Sequence, residues 1–168
     1  MSWSNLIWTR ISIPRHAFIA WILIQHRLPT EARLSKFRPQ TDTNCPFCQG
    51  AEEDDRHLFF TCPYAMQIWT AVCQWWPMQL PVAITDSERL LTGIPTPRAP
   101  KTQRRITYAV FLAVIYSIWK VRNHMISKNK LLPPSTTISS IKEQLRFRIL
   151  FLSKYAQKYQ AYIDILIQ

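Results

Sequence analysis

Glycine is almost missing from this chain, with two in 168 residues, while proline occurs twelve times. Tight β-hairpin turns rely on residues that accept positive φ, so this balance argues for helices punctuated by proline. Acidic residues are scarce in the second part. Residues 101–168 hold twelve Lys/Arg and only Glu143 and Asp164, a net +10, whereas residues 1–100 hold nine Lys/Arg and eight Asp/Glu, a net +1. A lopsided excess of cations points to a polyanionic partner, nucleic acid ahead of an anionic membrane; the plain alternative is a merely basic surface. A membrane-length apolar run is missing too. The longest, Ile106 to Ile118, contains Thr107 and Ser117 and falls short of the roughly 18–20 residues a span needs. Residues 17–24 follow Arg10, Arg15 and His16 and faintly mimic a secretion signal. Trp21 and the lack of a small-residue cleavage site after Gln25-His26-Arg27 count against that. A reducing compartment, nuclear or cytoplasmic, is the expectation.

What is present is a large apolar supply: 48% hydrophobic residues, with seven Trp and eight Phe. That suffices for a packed core and excludes a disordered tail. Of four cysteines, three fall in the pattern C-x2-C-x8-H-x4-C formed by Cys45, Cys48, His57 and Cys62. Three thiolates and one imidazole close a tetrahedral shell around Zn²⁺, and the two-residue gap lets one turn aim two sulfurs at one ion. Four protein ligands leave no position for water or substrate, which argues for one structural zinc and against zinc catalysis. A chance cluster of reduced core thiols is the bland alternative. Disulfides fit less well, because Cys73 would be left over or would have to join the cluster. Cys73 itself, between Trp69 and Trp76, reads as a buried inert thiol.

The expected fold is mainly α: a small zinc-pinned helical domain over residues 1–76, a proline-rich linker over 77–100, and a basic helical region with two long helices over 101–168. Apolar periodicity predicts a helix over 15–27 and, with Thr30 as N-cap, a short one through Phe37. Cys62-Pro63 reads as a helix start, with the helix running to about Trp76. His57 and Cys62 are five apart, which on a regular helix separates them by about 140°. They are therefore expected to flank an irregular turn, with Cys62 at a helix N-terminus where the dipole favours its thiolate. The linker is expected to hold a short helix near Asp86 to Leu91 and a polyproline II spacer at 95–100. Lys101 to Lys128 reads as one helix, apolar nearly all round between Ile106 and Val121 and hence buried. A last helix is expected over about 137–167, with a kink near Ser153.

Several cations sit where a helix disfavours them. Lys101, Arg104 and Arg105 oppose the dipole of a helix N-terminus, at roughly 0.3–1 kcal/mol each. Lys142 and Arg146, like Lys154 and Lys158, are like charges four apart, costing roughly 0.2–0.5 kcal/mol per pair. Phosphates would relieve these costs, which makes Lys101, Arg104, Arg105, Lys120, Arg122, Lys142, Arg146, Lys154 and Lys158 the candidate contacts to an RNA or DNA backbone. Trp119 and the tyrosines near 155–162 are candidate stacking platforms, although such aromatics are more often core. Glu52, Glu53, Asp54 and Asp55 form an acidic tip inside the zinc loop that a phosphate backbone should avoid.

Arg27-Leu28-Pro29-Thr30, Arg33-Leu34, Cys45-Pro46-Phe47-Cys48, Glu53, His57 through Ala65 and Ile68-Trp69 resemble the zinc-binding module that follows the reverse transcriptase in plant non-LTR (LINE-type) retrotransposons. Val114 through Asn123 is more loosely similar to a segment that commonly follows it. The resemblance implies a zinc-binding appendage of an element's polyprotein, or a domesticated or truncated copy, assisting template or target nucleic acid. It implies zinc ligation by Cys45, Cys48, His57 and Cys62, and it supplies no nucleic-acid contacts of its own. The chain carries no Tyr-x-Asp-Asp or similar polymerase carboxylate pair, and the two acids of the C-terminal part cannot furnish a carboxylate cluster for two-metal chemistry.

Two functions follow from these residues. One is a zinc-stabilised accessory domain that binds nucleic acid without sequence preference through its basic helices. The other is an interaction module whose apolar helix 106–121 docks on a reverse transcriptase. An enzyme is not expected: His16, His26 and His124 are scattered with no acidic partner in sequence, and no small-molecule substrate is implied.

Overall fold

The computed structural model describes residues 7–40, 42–76, 99–153 and 157–162. The architecture is mainly helical, and no strand occurs among the described residues. Helices α1 (Pro14–Ile24), α2 (Glu31–Leu34), α3 (Pro63–Trp75), α4 (Lys101–Lys128) and α5 (Pro134–Ser153) follow in chain order. One π-helical turn, His57–Thr61, precedes α3, and a 3-10 stretch, Gln157–Tyr162, follows α5. Lys154, the side chain of Lys158, the expected helix near Asp86 to Leu91 and most of the proline run at 95–100 lie outside the described residues.

Proline sets where α1 and α3 begin. Pro14 and Pro63 each occupy the first turn, where a missing N–H costs nothing. Helix α1 stops at Ile24, three residues before the expected end. His26 takes φ 51°, its N–H bonds Leu23 O at 2.8 Å and Arg27 N–H bonds Ile22 O at 3.0 Å. This left-handed closure satisfies two orphan carbonyls and turns the chain at once. Asn129, at φ 49°, ends α4 similarly and donates its N–H to Met125 O. Asparagine tolerates the left-handed region better than most residues. Thr30 precedes α2 as expected, but its side chain makes no capping hydrogen bond.

Helix α4 is the centre of the core. Every residue from Ile106 to Val121 is buried except Tyr116, which is half-buried, and Lys120. It packs against α1, α3, α5 and the π-helical turn. Buried side chains from Ile7 to Trp76 and from Ile106 to Leu152 thus join one continuous cluster. Large aromatics fill it: Trp69 stacks on Phe111 at 5.2 Å between ring centroids and Phe59 on Trp119 at 6.4 Å. The buried indoles keep their hydrogen bonds, Trp69 Nε1 to Phe59 O at 2.7 Å and Trp76 Nε1 to Thr107 Oγ1 at 3.1 Å. Cys73 is half-buried, and burial raises its pKa, in keeping with an inert thiol. No helix among the described residues is long and apolar enough to cross a membrane.

His16 is buried where α1, α4 and α5 meet. Its ring stacks on Tyr116 at 4.4 Å and bonds Gln144 Oε1 at 3.2 Å. Burial drives its pKa down to about 4, against the partial opposition of the Gln144 bond. The unfolded chain therefore binds more protons than the folded one between about pH 6.5 and 4. The neutral ring's contribution is fully present above pH 6.5 and is lost as pH falls through 4, amounting to about 3 kcal/mol. Urea titrations of the wild type and of His16→Gln at pH 7 and pH 4.5 check this. The wild type should lose more stability over that interval than the variant.

Candidate metal centre

The chain before Cys45 and after Cys48 folds back on itself. Cys45 N–H bonds Ala51 O at 2.8 Å, Glu53 N–H bonds Thr43 O at 2.8 Å, and an isolated antiparallel bridge joins Asn44 to Glu52. Gln49, at φ 56°, makes the turn and donates to Cys45 O at 2.9 Å, so the reversal needs no positive-φ glycine. The amides of Phe47 and Cys48 point at Cys45 Sγ. The other half comes from the π-helical turn. Cys62 N–H reaches back five residues to His57 O at 2.8 Å. That bond absorbs the mismatch of a five-residue spacing, placing His57 and Cys62 on one side where an α-turn would separate them. Cys62 is the N-cap of α3, in extended conformation, and the amides of Tyr64 and Ala65 face its sulfur. Both features match the irregular turn and the helix-start position expected from the spacing.

The three Sγ atoms and one imidazole nitrogen all lie within 4.8 Å of one another. Cys45 Sγ is 3.8 Å from Cys62 Sγ, and Cys48 Sγ is 3.2 Å from His57 Nε2. Tetrahedral zinc with ordinary bond lengths places two sulfurs about 3.8 Å apart and a sulfur and nitrogen about 3.6 Å apart. The cluster fits one zinc ion. The thiols already interact as a pair: hydrogen bonding between them pushes the Cys45 pKa up and the Cys62 pKa down. Thr61 Oγ1 stands 3.4 Å from His57 Nδ1, an outer partner that orients the ring with Nε2 facing the sulfurs.

Two sets of bonds fasten this loop to the basic part of the chain. Tyr64, two residues past Cys62, donates its hydroxyl to Leu132 O at 2.9 Å and lies 3.0 Å from Thr137 Oγ1. More important is Glu53, which is 0% exposed, and Arg122, which is 5% exposed. Arg122 grips Glu53 with two parallel bonds, Nε to Oε1 at 2.6 Å and Nη2 to Oε2 at 2.8 Å. The same Nη2 reaches Glu31 Oε1 at 3.0 Å, and Glu31 N–H donates to Glu53 Oε2 at 2.9 Å. The guanidinium also lies over the Trp119 ring at 5.0 Å.

This geometry corrects several expectations. Arg122 is no phosphate contact, because it is buried and committed to two carboxylates. Trp119 is core beneath it, not a stacking platform. The acidic tip is not uniform: Glu52 and Asp54 are exposed, Glu53 is sequestered, and Asp55 is half-buried with Oδ2 3.2 Å from His26 Nδ1. His26 therefore has an acidic partner that its place in the sequence conceals. Asp54 serves the metal centre, its Oδ1 accepting the His57 N–H at 2.6 Å. Of the other proposed phosphate contacts, Lys101, Arg105, Lys120 and Arg146 are exposed and Arg104 is half-buried. Lys142 is half-buried, its Nζ 5.4 Å from the Trp75 ring centroid. These residues are spread over two helices and do not converge on one point.

Residues 1–69 match the model of a family described as zinc-binding in reverse transcriptase. The match contains all four candidate ligands and ends within α3. No curated protein and no solved structure matches the chain. Over this stretch the chain is similar to that zinc-binding family, and the same stretch holds the four side chains whose geometry fits one zinc ion.

Proposed function

We propose that the chain is a non-catalytic accessory domain from the polyprotein of a plant LINE-type element, or a fragment descended from one, which binds nucleic acid through backbone contacts. Zinc holds the N-terminal loop, and the basic helices meet the polyanion. The observation that carries this reading is α4, which displays Lys101, Arg105, Lys120 and Lys128 to solvent and contains no carboxylate along its length. Cations in the first turn of that helix oppose its dipole, and phosphate would relieve them. Four protein ligands complete a tetrahedral shell, which supports a structural ion and no catalytic role. The reading places the protein in a reducing compartment, nucleus or cytoplasm.

The reverse-transcriptase docking alternative loses its proposed surface, because helix 106–121 is spent on the chain's own core. A salt series on a labelled oligonucleotide tests the nucleic-acid reading. About five phosphate contacts should weaken binding roughly a hundredfold between 50 and 200 mM salt, with little dependence on sequence. An affinity that stays flat over this range would overturn it.

A further inference from the structure

We infer that the seam between the N-terminal segment and α5 is a platform for single-stranded nucleic acid, where exposed aromatic rings stack on bases and arginines meet the phosphates. The inference rests on the nucleic-acid reading above and gives it a place and a strand type. Among the described residues, Trp8 is 52% exposed, Phe147 62% and Phe151 50%. Phe18, at 50%, and Phe37, at 78%, are exposed elsewhere on the surface, but Phe147 and Phe151 share one flank of α5, where Arg148 stands 6.0 Å from the Phe151 ring centroid. Gln144, Phe147, Arg148 and Phe151 follow the i, i+3, i+4, i+7 stripe of one helix flank. Phe147 and Phe151 are separated by about 6 Å along that stripe.

The N-terminal segment is tied to this flank. Arg148 donates from Nη2 to Arg10 O at 2.7 Å and to Ser12 O at 3.4 Å, and from Nε to Ile11 O at 3.2 Å. Arg15 Nη2 donates to Gln144 Oε1 at 3.2 Å. Trp8, two residues before Arg10, therefore belongs to the chain segment that lies on α5. The carbonyls holding Arg148 carry no charge, so its positive charge persists at the seam.

Charge decides which partner fits. Residues 7–24 contain Arg10 and Arg15 and no carboxylate, and α5 contains Lys142, Arg146 and Arg148 against Glu143 alone. An apolar protein-docking face would not need this cationic surround. A duplex has its base faces hidden, leaving the rings nothing to stack on, whereas a single strand offers both bases and phosphates. Trp119 cannot take the role, being buried under Arg122.

The test uses the zinc-loaded full chain with fluorescein-labelled 20-mers of single-stranded RNA, single-stranded DNA and duplex DNA, by anisotropy at fixed salt. The variant Phe147→Ala/Phe151→Ala removes two exposed rings; its circular dichroism and zinc content report that the fold is intact. Single-strand affinity should fall at least tenfold and duplex affinity should hold, with Phe147→Trp/Phe151→Trp restoring binding. Comparing RNA with DNA shows which single strand is preferred. A double-alanine variant that binds single strands as the wild type does overturns the platform while leaving salt-dependent binding in place. A variant that only alters self-association in sedimentation overturns it too, by assigning the rings to a second copy of the chain. A wild type that binds none of the oligonucleotides overturns the parent reading and this one together.

Discussion

Replacing Arg122 with alanine should lower the unfolding free energy by about 3–5 kcal/mol, because it strands a fully buried carboxylate. For a chain of this size the melting temperature should fall by roughly 10 °C or more. The cause is asymmetric. The intact pair gains little over an apolar core, since desolvating both ions offsets much of their attraction. Among the described residues, losing Arg122 leaves the Glu53 carboxylate with only the Glu31 amide as a donor. A double variant, Arg122→Met with Glu53→Gln, should therefore cost less than the sum of the two single changes, with a coupling of about 0.5–3 kcal/mol. Urea denaturation of the four proteins measures this. Additive losses would mean that the two groups act independently, contrary to the geometry. Because Glu53 also donates its N–H to Thr43 O, next to the metal loop, Arg122→Ala should weaken zinc retention as well as the core.

Removing the metal should have an effect of similar or greater size. Cys45 and Cys62 are buried within the main core cluster, so the ion holds a wall of the core and not a peripheral finger. With free zinc held a thousandfold above Kd, binding should add about 4 kcal/mol to stability. Chelation should therefore expose the loop at 42–62 and loosen Phe59 and Trp69, which share a hydrogen bond across the π-helical turn. Tryptophan fluorescence during chelator titration, with readdition of zinc, follows the change. Cys62→Ser should behave like the chelated protein even with zinc present. Retention should weaken as pH falls, since thiolates and a neutral imidazole are the binding forms.

The parts of this design visible in the sequence are those written in local spacing. The ligand pattern, proline at two helix starts, the helix at Lys101–Lys128 and its burial all follow from neighbours in the chain. The last helix, expected over about 137–167 with a kink near Ser153, is described as an α-helix over Pro134–Ser153 and a 3-10 stretch over Gln157–Tyr162, and residues 154–156 and 163–168 lie outside the described residues. The five-residue gap from His57 to Cys62 even signalled an irregular turn, though not that it would be π-helical. Long-range choices were hidden. Glu53 and Arg122 stand 69 positions apart, and each alone resembles an ordinary surface charge. The Asp55–His26 contact was equally invisible, because it depends on the left-handed closure of α1. The exposed rings of α5 were hidden for the opposite reason: apolar residues read as core until packing shows which flank is left over.

The central claim is a closed shell of three sulfurs and one imidazole nitrogen around a single zinc ion. X-ray absorption at the zinc edge on stoichiometrically loaded protein tests it most directly. The account predicts three sulfurs at about 2.3 Å and one nitrogen at about 2.0 Å, with no water ligand. A shell that includes water or lacks one of the sulfurs, or a purified protein that retains no zinc, would contradict it.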